Sequence, residues 1–393
     1  MKVPGFQFAG VTCGLKVKAH AKDLGLVVSE RPARVVGMFT TNQVKAAPVL
    51  FCERQIKRGH FRALVVNSGN ANACTGSSGD HATQATAASL AKHLQVPVDS
   101  IYVCSTGKIG VPLPLAKVKR GLEQAVQVLS PNDLPTFSQA IMTTDRFPKI
   151  AQVKAKLGKT PFTLLGVAKG AGMIEPHMAT MLAFILTDLN LNLPWMRKVF
   201  REVVEATFNS ISVDGDCSTN DTALWIANGK AANSPPLGVS QQKVVKQALY
   251  EVCHGLAKLM VADGEGATKV VKIIVKGAAT HRAAKNIAYS VARSFLVKTA
   301  FFGEDPNWGR ILAAVGYSGE TLHPQRVDIS IGSVCLVKKG QINKASLELK
   351  AHKIMKSKEY QVKIDLNIAQ GEASLLTSDL TVDYVKLNSE YRT

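Results

Sequence analysis

The sequence predicts an α+β fold in which layered sheets are covered by helices. Short apolar runs bounded by polar or small residues, such as 61–66 and 181–186, have the length of buried strands. A longer segment, 195–208, instead carries its apolar residues at helical spacing. With 393 residues and 46% hydrophobic content, the chain is long and apolar enough to fill the core of two or three domains.

The remaining elements follow from the same patterns. Residues 80–94 are rich in Ala, begin with an acidic residue and carry His93 near the end, which favours a helix. Other helices are predicted at 115–129, 131–140, 239–260 and 286–297, and a surface loop at 228–238. Strands are predicted at 10–16, 26–29, 35–41, 100–104, 270–275, 327–331, 345–349, 361–366 and 372–376.

Composition argues against several functional classes. No run of 18 apolar residues occurs, and the N-terminal residues lack the apolar core of a secretory signal, so we expect a cytoplasmic protein without a membrane span. Seven cysteines without a Cys-x-x-Cys pair argue against a disulfide framework and favour free thiols. Scattered histidines predict no metal site.

The formal net charge of +19 is compatible with a nucleic-acid-binding protein. However, the basic residues are spread along the chain, in blocks no longer than pairs such as Lys338-Lys339, and no aromatic RNA-binding signature accompanies them. We therefore favour a basic surface around an enzyme that acts on anionic metabolites, with no nucleic-acid partner.

The stretch 169–188 organises the chain. Its small residues Gly170, Ala171 and Gly172 predict a turn, and a buried strand follows. Thr180 lies at the junction, after the small residue Ala179. Thr is common in strands, so the simplest interpretation is structural. Alternatively, Thr180 attacks the preceding carbonyl, breaks the chain and gains a free α-amine, which activates its hydroxyl as a nucleophile.

This stretch resembles a known family. Lys-Gly-Ala-Gly-Met followed by Met-Ala-Thr-Met-Leu is similar to the self-cleavage site of the ornithine acetyltransferases, also called glutamate N-acetyltransferases. The resemblance extends from Gly10 to Thr393. It implies cleavage between Ala179 and Thr180, which gives an α chain of residues 1–179 and a β chain of residues 180–393. It also implies an α/β/β/α architecture like that of N-terminal-nucleophile enzymes, with Thr180 heading a central strand.

A second motif is Ser105-Thr106-Gly107-Lys108-Ile109-Gly110. From the residues alone it is either a glycine-rich turn or an oxyanion hole, in which the Gly107 N–H and a Thr106 donor face a developing negative charge. The motif resembles the oxyanion motif of the family, which implies the second role for Thr106 and Gly107.

Further positions acquire substrate contacts through the resemblance. Thr143 lies in a Met-Thr-Thr-Asp motif, although Arg146 replaces the Thr that follows this motif in the family. Lys169 is implied to bind the substrate α-carboxylate, and Glu265 the ornithine ammonium group. At the chain end, Asn388 and Thr393 match residues that hold substrate in the family. Without the resemblance, these last residues would be read as a frayed tail.

Other short stretches resemble binding motifs or parts of the family pattern. The stretch 158–160 fails as a phosphate-binding loop, because Val153 replaces the required Gly, and 170–175 fails as a dinucleotide fingerprint. The aspartates of 209–222 lack the closing glutamate of a calcium loop, and we expect this family-like stretch to lie beside the active site. Another family-like stretch, 298–310, suits a loop at the pocket or at a subunit contact. Residues 67–76 suit a polar loop that lines the pocket.

The resemblance implies that Thr180 takes the acetyl group from N2-acetylornithine and passes it to glutamate, with no bound cofactor. Bifunctional members also use acetyl-CoA as donor, and the sequence leaves this open here. Assembly of the α and β chains into a heterotetramer is likewise implied. A self-processing aminopeptidase of related fold is the alternative, and the acceptor distinguishes the two, because a peptidase uses water.

Overall fold

The computed structural model describes residues 1–18, 20–175 and 181–390, and within them it shows two β-sheets with helices packed on them. The predicted α+β class is therefore confirmed. The strands are β1 Phe6–Val11, β2 Leu24–Phe39, β3 His60–Asn70, β4 Ile101–Lys108, β5 Lys149–Leu157, β6 Thr160–Lys169, β7 Leu182–Thr187, β8 Ile211–Ser212, β9 Thr222–Ala227, β10 Val270–Ala278, β11 Asp328–Ile331, β12 Val334–Lys338, β13 Gln341–Ile342, β14 Glu359–Asp365 and β15 Gly371–Ser378.

The α-helices alternate with these strands along most of the chain. They are α1 Ala47–Gln55, α2 Gly76–Leu94, α3 Leu115–Gln127, α4 Leu134–Ala140, α5 Leu193–Ala206, α6 Val239–Ala262, α7 His281–Arg293, α8 Phe295–Phe302, α9 Trp308–Gly316, α10 Leu347–Met355 and α11 Val382–Glu390. The chain forms two units. The first contains residues 1–209 and 216–260, and the second contains 210–215 and 261–390.

The first unit is built on a sheet with the strand order β4-β3-β2-β9-β7-β6-β5, to which β1 is added by pairing with β2. Strand β7 is an interior strand, parallel to β9 and antiparallel to β6. All six of its residues are buried, which explains its unbroken apolar sequence. The predicted strand at 181–186 is thus confirmed, and it is an interior strand of its sheet.

Helices cover this sheet through close apolar contacts. Phe137 of α4 is fully buried, and its ring lies 6.0 Å from that of Phe8 and 6.2 Å from that of Phe184. Helix α6 approaches β6 so closely that a β-carbon on Gly166 would lie 2.5 Å from Leu256. Glycine at this position therefore lets the helix pack directly on the strand.

The second unit has a sheet of the order β13-β12-β11-β14-β10-β15-β8, in which β10 is parallel to β14 and antiparallel to β15. Helix α7 packs on β10 and β15. Three helices of this unit begin with a side-chain cap, as the sequence rules for helix starts favour. The capping residues are Thr280 for α7, Ser294 for α8 and Asn307 for α9.

The structure corrects several details of the sequence prediction. The strand predicted at 345–349 is wrong, because α10 begins at Leu347. The predicted loop at 298–310 belongs largely to α8 and α9. The separate strands predicted at 26–29 and 35–41 form one long strand, β2. Strand β3 continues to Asn70, so the polar loop expected from position 67 begins later.

We expect Phe137→Ala to lower the free energy of unfolding by about 3–5 kcal/mol, because it removes a fully buried ring between two others. The matched control is Phe295→Ala, since the Phe295 side chain is 66% exposed and its loss should change stability by less than about 0.5 kcal/mol. Chemical denaturation of both variants measures the difference. Equal effects would contradict the packing described for α4.

Candidate active site

The candidate site of the first unit is organised by the ammonium group of Lys169, the last residue of β6. Its Nζ lies 2.9 Å from Oγ1 of Thr143 and 3.2 Å from Oγ1 of Thr106. An ammonium group only donates hydrogen bonds, so both hydroxyls accept from it and each keeps its own proton free to donate elsewhere. Three residues that the sequence predicted for the site are thus brought together.

The Asp145 carboxylate connects the residues around the Lys169 ammonium group. Oδ2 of Asp145 accepts from the backbone N–H of Thr143 at 2.9 Å, and Oδ1 accepts from the backbone N–H of Gly170 at 2.7 Å. Oδ1 also forms a 2.6 Å ion pair with Lys149, and Oδ2 lies 4.0 Å from Nζ of Lys169. One carboxylate therefore joins the Thr143 loop to the turn after β6.

The charge of this cluster follows from its surroundings. Burial raises the pKa of Asp145, but Lys169, Lys149 and the hydrogen bonds to the carboxylate outweigh burial and lower this pKa to about 2. Asp145 is therefore ionised at neutral pH and shared by two lysines. The ammonium group of Lys169 suits an anionic group such as a carboxylate.

A further lysine contributes to the same electrostatic environment. The pKa of Lys16 is lowered to about 8, mainly by burial and also by the charge of Lys169, although Asp23 and Asp145 raise it in part. Nζ of Lys16 donates to the carbonyl oxygen of Lys22 at 2.6 Å. No motif surrounds Lys16, so no local sequence pattern predicted this residue.

Gly107 occupies a position that only glycine fits. Its φ is +130°, and a β-carbon there would lie 2.4 Å from the carbonyl carbon of Gly69 and 2.5 Å from the backbone nitrogen of Asn70. The two glycines are partners in the parallel pairing of β3 with β4. The ends of these strands thus approach each other closely beside Thr106.

Amide and hydroxyl side chains fix the strand ends around Gly107. Oδ1 of Asn67 accepts from the hydroxyl of Ser105 at 2.6 Å, and Nδ2 of Asn67 donates to the Asn70 carbonyl at 2.8 Å. Nδ2 of Asn220 donates to the carbonyl oxygens of Ala71 and Ser105, at 2.6 and 2.9 Å. The polar stretch before β9 is therefore attached to the strand that carries the predicted oxyanion motif.

The second unit brings together two other predicted residues. Asn388, in α11, donates from Nδ2 to Oε2 of Glu265 at 2.9 Å, and also to the Tyr384 carbonyl at 3.0 Å. Glu265 is half-buried in the turn between α6 and β10. Asn388 therefore lies in a helix, and its amide binds Glu265, the carboxylate that the resemblance assigns to the ornithine ammonium group.

Three predicted residues lie outside the described part of the chain, namely Ala179, Thr180 and Thr393. Arg146, the departure from the family motif, is exposed next to Asp145. The sequence reasoning missed the roles of Asp145 and Lys149 in the site. Asp145 did close the Met-Thr-Thr-Asp motif, which is a signal that could have identified it.

The described residues contain neither a metal-binding cluster nor a helix that could span a membrane. Residues 1–18, 20–175 and 181–390 include no cluster of three His, Cys, Asp or Glu side chains that could hold a metal ion. Over the same ranges, no helix combines the length and the apolar character that a membrane crossing requires.

Comparison with known proteins connects this geometry to a family. The model of the ArgJ family matches residues 7–393. The arginine biosynthesis bifunctional protein ArgJ of Geobacter sulfurreducens is 47% identical over 395 residues, and that of Syntrophotalea carbinolica 45% identical over 394, each covering 100% of both chains. A crystal structure of the Bacillus halodurans ArgJ protein matches with a TM-score of 0.51 and 36% identity, covering 53% of this chain and 98% of its own.

We expect Lys149→Met to destabilise the protein by about 3–5 kcal/mol, because it leaves the buried Asp145 carboxylate with a missing partner. Lys230→Met is the matched control. Lys230 pairs with Glu30 on the surface, where such a pair contributes about 1 kcal/mol or less. Urea denaturation of both variants gives the comparison, and similar losses would show that the Asp145 cluster does not depend on Lys149.

Proposed function

Since this chain belongs to the ArgJ family, we propose that it transfers the acetyl group of N2-acetylornithine to glutamate, as a step of arginine biosynthesis. The observation that carries the proposal is the contact of Lys169 with the hydroxyls of both Thr106 and Thr143. This contact joins the predicted oxyanion motif to the predicted substrate-binding residues in one buried, positively charged place.

In the proposed mechanism the chain first cleaves itself between Ala179 and Thr180. The hydroxyl of Thr180 then attacks the acetyl carbonyl, and the new α-amine of Thr180 accepts the proton and delivers it to the departing ornithine nitrogen. An α-amine has an ordinary pKa near 8, so it can act as a base at physiological pH. Glutamate finally takes the acetyl group from the acetyl-Thr180 intermediate.

The oxyanion that forms in each transfer is assigned to Thr106 and Gly107. Because Thr106 accepts its hydrogen bond from Lys169, its hydroxyl proton is available to the oxyanion. The ammonium group also polarises this hydroxyl and makes it a better donor. The backbone N–H of Gly107 is the second donor that we propose, next to Thr106. Because Gly107 has no β-carbon, β3 can approach closely at this point.

Substrate binding is divided between charges of opposite sign. We assign the α-carboxylate of the substrate to Lys169, with Thr143 as a further hydrogen-bond donor, because an ammonium group is a natural partner for a carboxylate. We assign the side-chain ammonium group of ornithine to Glu265, whose Oε2 is already oriented by Asn388 at 2.9 Å. Thr393 completes the substrate-binding residues that the resemblance implies.

The fold supports self-cleavage into chains that stay together. Strand β7, which follows the cleavage point, lies between β6 from the proposed α chain and β9 from the proposed β chain. Both chains therefore share one sheet and one core after cleavage. We further propose that two α and two β chains form a heterotetramer.

We extend the proposal to a second donor. The relatives with 47% and 45% identity are named bifunctional proteins, which favours acetyl-CoA as a co-substrate in addition to N2-acetylornithine. No bound cofactor is needed for either reaction, because Thr180 itself carries the acetyl group. We place this biosynthetic step in the cytoplasm, in agreement with the seven cysteines, which are free thiols.

Intact-mass analysis tests the central step. We expect two fragments that divide after Ala179, and an acetyl increment on the later fragment after incubation with N2-acetylornithine. Thr180→Ala should remain a single chain of 42.1 kDa without activity. Thr160→Ala, at the start of β6, is the control and should be cleaved and acetylated like the wild type.

The same experiment separates the transferase from the aminopeptidase alternative. Release of the acetyl group to glutamate supports the proposal. Release to water alone, together with hydrolysis of peptides, would establish the aminopeptidase instead. A Thr180→Ala protein that is cleaved and active would rule out both reactions as described here.

Gly107→Ala tests the oxyanion assignment. The added β-carbon would displace the donor, so we expect kcat to fall by about 100- to 1000-fold. Gly158→Ala is the matched control, because Gly158 also has a positive φ, of +61°, but has no heavy atom within 4 Å of the added carbon. Steady-state kinetics on both variants decide the matter, and a Gly107→Ala enzyme with wild-type kcat would refute the assignment.

A further inference from the structure

Asp221 is a fully buried aspartate that the proposed acetyl transfer does not use. It belongs to the polar stretch before β9, and its backbone carbonyl accepts from the N–H of Thr40. The neighbouring Asn220 is attached to Ser105 of the oxyanion motif. Asp221 is thus fixed between the oxyanion motif and the beginning of the central strand.

One oxygen of Asp221 has a clear function. Oδ1 accepts from the backbone N–H of Met181 at 2.8 Å. This nitrogen is bonded to the carbonyl carbon of Thr180, whose α-carbon is the next atom along the chain. Oδ1 therefore holds the backbone nitrogen of Met181, the residue that directly follows the predicted nucleophile Thr180.

The other oxygen is the unusual one. Oδ2 of Asp221 is buried and has no hydrogen-bond partner among residues 1–18, 20–175 and 181–390. A buried carboxylate oxygen without a partner is costly and rare, so it calls for an explanation. Oδ1 binds the N–H of Met181, which directly follows Thr180 in the sequence, so Thr180 is the residue that we consider for Oδ2.

Self-cleavage creates a need that such an oxygen would satisfy. The mature enzyme can use the α-amine of Thr180 as its base, but in the uncleaved chain this nitrogen is an amide and cannot accept a proton. A different base is therefore required for the first reaction of the chain. This argument rests on the self-cleavage that we proposed above.

We propose that Asp221 is the base that accepts the proton of the Thr180 hydroxyl during self-cleavage. The proton moves to Oδ2 as Oγ1 of Thr180 bonds to the carbonyl carbon of Ala179. The bond from this carbon to the Thr180 nitrogen then breaks, and Asp221 returns the proton to this nitrogen, which becomes the α-amine. Water hydrolyses the resulting ester, which gives Ala179 a carboxyl group and restores the Thr180 hydroxyl.

The electrostatics of Asp221 agree with this role. Burial raises its pKa well above the ordinary value, while the Met181 N–H and the charge of Lys169 lower it only in part. The nearby Thr40 hydroxyl also lowers this pKa, but it donates its proton to the Ser218 carbonyl oxygen at 2.7 Å and not to Oδ2. A carboxylate with a raised pKa is a stronger base than an exposed one. The thiol of Cys217 also faces this carboxyl group, and its own pKa is raised, by burial first and then by the charge of Asp221.

The test follows cleavage of the full-length chain during cell-free synthesis, by mass and gel analysis over time. Asp221→Asn keeps the size of the side chain and an oxygen acceptor for Met181, but it cannot accept the proton. We expect it to cleave about 100-fold more slowly than the wild type. If Asp221 only holds Met181, the variant will cleave at the wild-type rate, which would overturn the proposal.

Asp188→Asn is the matched control. Asp188 follows the other end of β7, is buried, and accepts from the backbone N–H of Thr163 at 2.8 Å. Burial raises its pKa also. We expect this variant to cleave at the wild-type rate, and an equal loss in both variants would overturn the proposal, because it would show a general effect of removing a buried carboxylate.

The pH dependence provides a second measurement that does not need a variant. Only ionised Asp221 can accept a proton, so the cleavage rate of the wild type should rise with pH until Asp221 is ionised and then level off. A rate that does not change with pH would overturn the proposal. A wild-type chain that is never cleaved would instead contradict the proposed function itself, and so the two failures can be distinguished.

Discussion

The carboxylate of Asp145 is the interaction on which the candidate site depends. It is buried, ionised and paired with Lys149, and it binds the backbone of both Thr143 and Gly170. Without it, the loop after α4 and the turn after β6 would have no common partner. Its charge also accounts for the presence of two lysine ammonium groups within the protein interior, since each would be costly to bury alone.

The position of Lys169 is a consequence of that arrangement. As the last residue of β6, it projects from a strand that pairs with the central strand β7, so its place is set by the sheet. Its ammonium group donates to the hydroxyl of Thr106, which lies near the end of β4. In the strand order of the sheet, β4 is at one end and β6 is next to the other end. Residues distant in sequence thus reach one place because the ends of several strands converge there.

The sequence predicted the parts of the site that lie in short motifs. Thr106 and Gly107 stand in one motif, Thr143 in another and Lys169 beside the cleavage point, and the central strand follows from an unbroken apolar run. The strand predicted at 345–349 was wrong, because a run this short does not distinguish a strand from the first turn of a helix such as α10. The contacts of Asp145 with Lys169 and Gly170, and that of Asp221 with Met181, join residues distant in sequence, which no local pattern shows.

The proposed self-cleavage places a chemical constraint on the structure that acetyl transfer alone does not. The α-amine that serves the mature enzyme does not exist until the peptide bond before Thr180 is broken, so the two reactions cannot share a base. They can share the oxyanion donors, because both pass through a tetrahedral intermediate at a carbonyl carbon. The described residues fit this division. Thr106 and Gly107, the proposed oxyanion donors, lie near the end of β4, whereas Asp221 binds Met181, which belongs to the proposed β chain.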